Sequence, residues 1–312
     1  MQRAYISKLM ELAEADERVL HLVADSGTGF DEMFRRNFPG RMLNFGIAEE
    51  HMTAVAAGLA TAGKVPFVYT AGAFLAYRSL EFIRDDICFQ NLNVKIVGMG
   101  SGLAWSSLGP SHHTTEDIAV LRALPNLRIL SPATPLQVAA CVEEAHSCTG
   151  PVYIRIGMNN EKEFFEDGYR LPDSGQDALR GDKGAASGKR VVVFCTGSIL
   201  EDVMGAADIL EEAGIAATVV NVARIKPFDG DNLLRYAENA DMLVTVEEHN
   251  ISGGLGGIAA EALAGHGAGK RLFRIGLNDV FAEGYGKSQE IVREANHLDA
   301  LSIARAVERE CL

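Results

Sequence analysis

The sequence has no long apolar run, no basic cluster and no paired cysteines. No uninterrupted apolar stretch approaches the ~18 residues that indicate a membrane span, and the formal net charge is −13. Because nucleic acids and anionic membranes bind positively charged surfaces, both are poor partners for this chain. The five cysteines are scattered, without the spacing of a zinc site or a redox dithiol, so we interpret them as reduced thiols.

The N-terminal stretch MQRAYISKLMELAEADERV mixes acidic and basic residues along an amphipathic helical pattern. It has no apolar centre of the kind found in signal peptides. Apolar residues make up 47% of the chain and charged residues 23%, which is the balance of a globular protein that folds in water. We therefore expect a cytoplasmic enzyme or binding protein.

The length of 312 residues exceeds what one hydrophobic core usually supports, which favours two domains. Short β-branched runs alternate with helical patterns, as in parallel sheets covered by helices. In the first part, the predicted strands are 19–24, 66–70, 94–99, 127–130 and 152–156, and the predicted helices are 47–62, 73–90, 116–123 and 135–147. These elements predict a doubly wound α/β domain over residues 1–160.

Residues 161–189 are charged and glycine-rich and show no sustained period. Such a composition buries little apolar surface and predicts a linker. After it, a second alternation predicts strands at 191–196, 217–222, 242–247 and 272–275, and helices at 199–213, 230–239 and 254–264. We expect a second, smaller doubly wound α/β domain over residues 190–312.

The pattern Gly254-Leu-Gly256-Gly-Ile-Ala259 follows a predicted strand and opens a helix, as a dinucleotide site does. Six residues separate it from the strand instead of a tight turn, and Glu248 in that connection would repel a pyrophosphate. We interpret these glycines as positions where the helix packs closely on the sheet.

The stretch GPSHHTTED, residues 109–117, places two histidines in a loop before a predicted helix. Thr114 is positioned to cap that helix, with Asp117 three residues later. Sites of doubly wound sheets are built on such loops, although two polar histidines without a function fit the spacing equally well. Because adjacent loop side chains point in different directions, we expect one site histidine.

Glu49 and Glu50 open a small, apolar helical stretch, NFGIAEEHMTAVAAGLA. The helix dipole stabilises a carboxylate in the first turn by ~0.3–1 kcal/mol, so solvated capping is the simplest interpretation. However, apolar residues precede the pair, which predicts that at least one carboxyl faces a partly dry interior. A carboxyl in that setting is a candidate for sharing a proton with a ligand.

Four stretches of the first part together resemble the pyrimidine-binding domain of transketolases: NFGIAEEHMTAVAAGLA, PFVYTAGAFLAYRSLEFIRDD, GPSHHTTEDIAVLRALPNLRILSPATP and GPVYIRIG. A later stretch, VARIKPFDGDNLLRYAENADMLVTVEEHNISGGLGG, resembles the C-terminal domain of that family. The resemblance covers essentially the whole chain. It is strongest to the C-terminal section of a split transketolase.

This resemblance implies a thiamine diphosphate site. It implies that Glu49 forms a hydrogen bond with N1′ of the aminopyrimidine and favours its imino tautomer, and that Phe74 stacks on that ring. Tyr77 matches a nearby pocket position, one helical turn along. Without the resemblance, Phe74 and Tyr77 would be an ordinary pair of core aromatics at i, i+3.

The resemblance also implies substrate contacts. His112 matches a histidine that contacts substrate oxygens and relays protons, so the expected catalytic residues are Glu49 and His112. Arg155 matches an arginine that holds a substrate phosphate, for which a planar fork of donors is well suited. Arg3 matches a further phosphate-binding arginine, and Asp25 matches an aspartate near the cofactor.

Two positions depart from the family pattern. Leu108 stands where ordinary transketolases carry an aspartate that contacts a donor hydroxyl, and Gly100 aligns with a phosphate-contacting histidine. Both changes argue against the usual pentose phosphate donors. Because of Arg155, we still expect transfer of a two-carbon ketol unit from a ketose phosphate donor to an aldose acceptor.

The chain lacks the Gly-Asp-Gly and downstream Asn pattern with which relatives bind Mg²⁺ and the diphosphate. The resemblance therefore implies a partner subunit that carries the diphosphate-binding domain and most of the Mg²⁺ contacts, and we expect no metal ligand in this chain. It further implies a heterotetramer with two copies of each subunit. An exposed apolar face should mediate self-association.

Two alternatives remain open. One is a related thiamine enzyme, either a deoxyxylulose-phosphate synthase-like chain or the β subunit of a 2-oxo-acid dehydrogenase decarboxylase component. The stretch GPSHHTTEDIAVLRALPNL is closer to transketolases, and the synthases carry their diphosphate domain in the same chain. The other alternative is a non-catalytic binding homologue, against which the set of Glu49, Phe74 and His112 argues.

Overall fold

Two mainly parallel sheets, each packed with helices, make up the computed structural model, which describes residues 1–25, 29–158, 161–181 and 188–312. The prediction of two α/β domains is confirmed. The first sheet has seven strands in the order β10-β5-β6-β4-β3-β1-β2. Its strands are β1 Val19–Val23, β2 Met42–Asn44, β3 Val65–Ala71, β4 Lys95–Met99, β5 Arg128–Leu130, β6 Val152–Ile156 and β10 Arg224–Lys226.

The central strands of this sheet are buried on both faces, which explains their continuous apolar runs. All neighbouring strands pair in parallel except β10, which pairs antiparallel with β5 at the edge. The helices around the sheet are α1 Gln2–Ala15, α2 Gly29–Asn37, α3 Glu49–Thr61, α4 Leu80–Phe82, α5 Asp117–Arg122 and α6 Pro135–Ser147.

The predicted continuous helix over 73–90 is instead a composite. Two π-helical segments, Phe74–Arg78 and Ile83–Cys88, flank the single turn of α4. Apolar periodicity does not separate an α-helix from a π-helix, because both bring residues three to five positions apart onto one side. Wide turns of this kind are frequent at functional sites.

The second sheet has five strands in the order β12-β11-β8-β9-β7. Its strands are β7 Gln176–Arg180, β8 Arg190–Thr196, β9 Ala216–Val222, β11 Met242–Asn250 and β12 Leu272–Leu277. The helices that accompany it are α7 Leu200–Glu212, α8 Gly230–Glu238, α9 Leu255–Gly265, α10 Gln289–Ala295 and α11 Ala300–Cys311.

The predicted linker over 161–189 contains an edge strand. β7 lies within it and pairs antiparallel with β9. The sequence did not indicate this strand because its residues, QDALR, are mostly polar and only Gln176 is buried. An edge strand needs few apolar residues, since its outer side meets solvent.

The two sheets are also connected, both by a strand that passes from one part of the chain to the other sheet and by hydrophobic packing. β10 follows the second sheet's β9 in sequence but completes the first sheet, which the prediction of a separate domain from residue 190 did not anticipate. One hydrophobic cluster contains Ile118 and Leu121 of α5 together with Phe194 and Leu255 of the second part. Helix α5 is therefore packed between the two domains.

Candidate active site

The expected site residues lie in loops that follow the parallel strands of the first sheet. Asp25 follows β1, Glu49 follows β2, Phe74 follows β3, and the loop 100–116 follows β4. The carboxyl ends of parallel strands meet at one edge of the sheet, which is where doubly wound folds bind ligands. We call this region the carboxyl edge.

Glu49 is the first residue of α3, and its side chain is buried, with 2% exposure. Arg78 Nη1 donates a hydrogen bond to Glu49 Oε2 over 2.6 Å, and the arginine side chain is 40% exposed. Solvated capping, the simplest interpretation from sequence, therefore does not apply to this carboxylate. Arg78 itself was missed, although its spacing of four from Phe74 places it on the same side of the helical segment.

Phe74 is at the centre of a small group of rings. The guanidinium carbon of Arg78 lies 4.5 Å from the Phe74 ring centroid. The His112 imidazole meets Phe74 edge-on at a centroid distance of 5.0 Å, and the Trp105 indole meets His112 edge-on at 5.8 Å. The structure thus brings Glu49, Phe74 and His112 together, with Arg78 bridging the first two.

His112 is half-buried, and burial lowers its pKa below the ordinary value. Its imidazole is therefore mostly neutral at pH 7 and able to accept a proton. Ser111 Oγ lies 2.9 Å from His112 Nδ1 and fixes that side of the ring. Its neighbour His113 is turned inward, at 3% exposure, and burial lowers its pKa as well.

Tyr77 uses its hydroxyl within the chain. It donates to Glu116 Oε2 over 2.8 Å and accepts from the Glu116 backbone N–H over 2.9 Å. Thr114 does not cap the next helix as expected, because its hydroxyl donates to the Gly100 carbonyl. These contacts fix both ends of the loop that carries His112, while the Tyr77 ring stays 37% exposed.

Asp25 and Arg3 are exposed at the carboxyl edge. The Asp25 backbone N–H donates to Asn44 Oδ1 over 3.2 Å, and the residue has a positive φ of 46°. The start of α1 reaches this edge because Gln2 Nε2 donates to Met99 Sδ at the end of β4. The roles expected for Asp25 and Arg3 stay predictions, since neither contacts the rings around Phe74 in the part of the chain that the structure describes.

Arg155 lies near the end of β6, as expected, but its guanidinium is turned into the protein. It is 1% exposed, and its Nε donates to both carboxylate oxygens of Asp117, over 3.1 and 2.9 Å. Its Nη2 donates to the backbone carbonyls of Thr114 and Glu248. The period of two along β6 places Arg155 on the same face as Tyr153, whose hydroxyl also donates to Asp117. This geometry argues against phosphate binding, because the side chain is buried and its Nε and Nη2 donors are already bound inside the protein.

The structure explains one of the two departures from the family pattern, Gly100, and gives no explanation for Leu108. Gly100 has a positive φ of 76°, and a Cβ there would overlap the Trp105 indole, so the indole fills the space that a side chain would need. Leu108 is 49% exposed. An aromatic wall therefore stands at Gly100, where the family resemblance implied a polar substrate contact.

The glycine pattern at Gly254 binds a carboxylate of the chain itself. The buried Glu247 accepts hydrogen bonds from the backbone N–H groups of Leu255 and Gly256, over 2.6 and 2.8 Å. A Cβ on Gly254 would overlap that carboxylate. The helix N-terminus that a pyrophosphate would need is thus filled, and the excluding acid is Glu247, not Glu248 as the sequence suggested.

No cluster of three or more His, Cys, Asp or Glu side chains suited to a metal ion occurs among the described residues. Over the same residues, no helix combines the length and the apolar character that crossing a membrane requires.

Two family descriptions match the chain in tandem. Residues 1–161 match the transketolase pyrimidine binding domain, and residues 183–295 match the transketolase C-terminal domain. The chain belongs to the transketolase family. The resemblance drawn from the quoted motifs is therefore confirmed, and thiamine diphosphate is the cofactor that this family implies.

Several transketolase subunits are similar to this chain over nearly their whole length. A subunit of the apulose-4-phosphate transketolase of Actinobacillus succinogenes is 36% identical over 90% of this chain and 89% of that protein. A 6-deoxy-6-sulfo-D-fructose transketolase subunit of Clostridium sp. strain MSTE9 is 33% identical over 98% and 92%. A solved structure described as a split gene transketolase, inactive beta4 tetramer, has a TM-score of 0.87 and 36% identity, and covers 99% of this chain and 97% of that one.

The residues at the carboxyl edge of this transketolase chain fit the pyrimidine end of thiamine diphosphate. Among the described residues, Arg78 is the one side chain that donates to the Glu49 carboxylate, and it contacts Oε2. Oε1 therefore remains able to pair with a ring nitrogen. The apolar face of Phe74 is next to it, and the neutral imidazole of His112 is at hand for proton transfer.

Proposed function

We propose that this chain is the C-terminal subunit of a split thiamine diphosphate-dependent transketolase. It transfers a two-carbon ketol unit from a ketose phosphate donor to an aldose acceptor, together with a partner subunit that carries the diphosphate- and Mg²⁺-binding domain. The observation that carries the proposal is the group of Glu49, Phe74 and His112, which provides an acid, a stacking face and a proton relay but no site for a diphosphate.

In this proposal, each residue has one task. Glu49 holds the hydrogen bond to N1′ of the aminopyrimidine, and Phe74 orients that ring by stacking. Thiamine diphosphate, when bound, supplies the nucleophilic carbon that attacks the ketose carbonyl. His112 accepts and returns protons at the hydroxyl oxygens of donor and acceptor, a task for which its lowered pKa keeps it neutral at pH 7.

Dependence on a partner is supported by the surface beside this group. Large apolar side chains are exposed on the elements around it and on the part of the second domain that lines a cavity with Tyr77; they are Leu43, Ile47, Tyr77, Leu108, Val280 and Phe281. A monomer rarely leaves so many apolar side chains close together in water. A relative is described as an inactive beta4 tetramer, which supports self-association of this chain, and we propose a heterotetramer as the active form.

The substrate needs a revised assignment of its phosphate contact. Since Arg155 is enclosed, we assign the phosphate of the donor to Arg3, which is exposed at the same edge, and to the partner subunit. The two named relatives act on a phosphorylated and a sulfonated sugar, which favours an anionic substrate of this general size.

The test is reconstitution. The chain is purified alone and after co-expression with the product of an adjacent reading frame that contains the Gly-Asp-Gly pattern, and ketol transfer is assayed with thiamine diphosphate and Mg²⁺. We expect no turnover from the chain alone. In the complex, Glu49→Gln should lower kcat by about 10²–10⁴-fold, whereas the neighbouring control Glu50→Gln should retain activity. Robust turnover by the lone chain would refute the proposal.

A further inference from the structure

Arg78 contacts both groups that are assigned to the pyrimidine ring. Its Nη1 donates to Glu49 Oε2 over 2.6 Å, and its guanidinium carbon lies 4.5 Å from the centroid of Phe74. Glu49 is 2% exposed, whereas the Arg78 side chain is 40% exposed. One cation therefore reaches from solvent to a buried carboxylate across an aromatic ring.

We propose that Arg78 is a positioning residue that aligns Glu49 and Phe74 for the aminopyrimidine. This inference rests on the proposed function. A carboxylate can rotate about its last bond, and a single donor on Oε2 fixes that rotation. With Oε2 held, Oε1 is the oxygen that is left to pair with the ring nitrogen. The stacked guanidinium limits the tilt of Phe74 at the same time.

Arg78 differs from an ordinary surface arginine in the burial of its partner. Arg84, six residues later in the same helical region, pairs with Asp85, and both side chains are largely exposed. Exposed pairs of that kind contribute little, because water screens them and competes for the same groups. The Glu49 carboxylate has no such access to water, so its only described donor controls both its charge compensation and its direction.

The first test measures cofactor binding in the reconstituted complex. Thiamine diphosphate is titrated into complexes that contain the wild-type chain, Arg78→Met, Arg78→Lys or the control Arg84→Met. We expect Arg78→Met to weaken binding by about 10- to 100-fold, the effect of losing a hydrogen bond to a charged group. Arg78→Lys should restore part of the affinity, since it keeps a donor but loses the planar stacking, and Arg84→Met should bind as wild type.

Two results of this titration would overturn the inference. Unchanged affinity in Arg78→Met would mean that the pair does not direct the carboxylate. Tighter binding would mean that Arg78 occupies the place of the ring and competes with it. A further readout is kcat at saturating cofactor, which should remain lowered in Arg78→Met because Glu49 stays misaligned even when the site is filled; full recovery at saturation would contradict positioning.

The second test examines the contact in the chain without a partner. Urea unfolding is compared for Arg78→Met, Glu49→Gln and the double variant. Arg78→Met should lower the unfolding midpoint, because it leaves a buried carboxylate without a donor, and the same change made in the Glu49→Gln background should have little effect. Additive effects would show that the two side chains do not interact in solution.

The outcomes separate this inference from the proposed function. If the wild-type complex binds no thiamine diphosphate, the proposed function fails. If the wild-type complex binds the cofactor and Arg78→Met binds it equally well, only the role of Arg78 fails. If the Arg78→Met complex does not assemble, Arg78→Lys replaces it in the titration, because it retains a positive charge at the position. Wild-type affinity and wild-type kcat in Arg78→Lys would then contradict the inference.

Discussion

Two arginine–carboxylate pairs of this chain have the same chemistry and opposite surroundings. In the pair of Arg155 and Asp117, both side chains are buried, with 1% and 0% exposure. In the pair of Arg78 and Glu49, the carboxylate is buried, at 2%, but the arginine is 40% exposed. The first pair is enclosed between domains, and the second is open on one side.

The difference shows how burial decides what an ion pair can do. Arg155 uses Nε and Nη2 on Asp117 and on two backbone carbonyls, so it joins the loop of His112 to the second domain. Such a pair holds structure, because Nε and Nη2 are both used inside the protein. Arg78 contacts one carboxylate oxygen, which leaves Glu49 able to bind something else. In the proposed site, the enclosed pair therefore has a supporting role, and the open pair belongs to the site itself.

The largest effect is expected from breaking the enclosed pair. Asp117→Ala should lower the free energy of unfolding by about 3–5 kcal/mol, because it leaves the Arg155 charge buried without a counter-charge. Urea unfolding of the lone chain measures this. The double variant Asp117→Leu with Arg155→Met should recover much of the loss, since no buried charge remains. A loss below about 1 kcal/mol for the single variant would show that the pair is not enclosed in solution.

A smaller effect on kcat should show whether Arg155 holds the His112 loop in place or binds the substrate phosphate. Arg155→Lys in the reconstituted complex should lower kcat by about 10- to 100-fold through displacement of the His112 loop. The loss should be the same for the ketose phosphate donor that the complex uses and for its unphosphorylated analogue. If instead KM rose only for the phosphorylated donor, Arg155 would bind phosphate and the enclosed geometry would be wrong.

The smallest effect concerns a buried lysine that has no carboxylate partner among the described residues. Lys95 is fully buried in β4, donates to the carbonyls of Cys148 and Gly150, and has its pKa lowered by burial to about 7. Above pH 7 the folded chain releases this proton while the unfolded chain keeps it until about pH 10. Stability should therefore rise with pH in this window, by about 1 kcal/mol per pH unit.

The measurement for Lys95 is the difference in unfolding free energy between the wild type and Lys95→Met from pH 7 to 9. Lys64, which is exposed, provides the control variant Lys64→Met. The slope of the wild type should vanish in Lys95→Met and persist in the control. An unchanged slope in Lys95→Met would show that Lys95 keeps its charge inside the protein.

The sequence predicted the central strands of the two sheets better than the strands at the sheet edges. Continuous apolar runs indicated the central strands, because those strands are buried on both faces. The edge strands β7 and β10 are short and polar, and their partners are distant in sequence, so no local pattern marked them. The π-helical turns at Phe74 were also invisible, since apolar spacing is nearly the same in both kinds of helix.

The motifs predicted which residues form the candidate site, but they did not predict how its charged side chains pair. The resemblance indicated Glu49, Phe74 and His112, and the structure brings these three together. It could not show that Arg155 pairs with Asp117, 38 residues earlier, or that Arg78 pairs with Glu49, 29 residues earlier. An arginine near the end of a strand suggests a ligand, but only the fold determines which face it points to.

The placement of β10 has a consequence for dividing the chain. A strand from beyond the linker completes the sheet of the N-terminal half, so a fragment that stops at residue 160 would expose the unpaired backbone of β5. Open strand edges of this kind recruit other strands and promote aggregation. The two halves are therefore not independent modules, and a cut, fusion or exchange planned at the linker would have to carry residues 224–226 along with the first half.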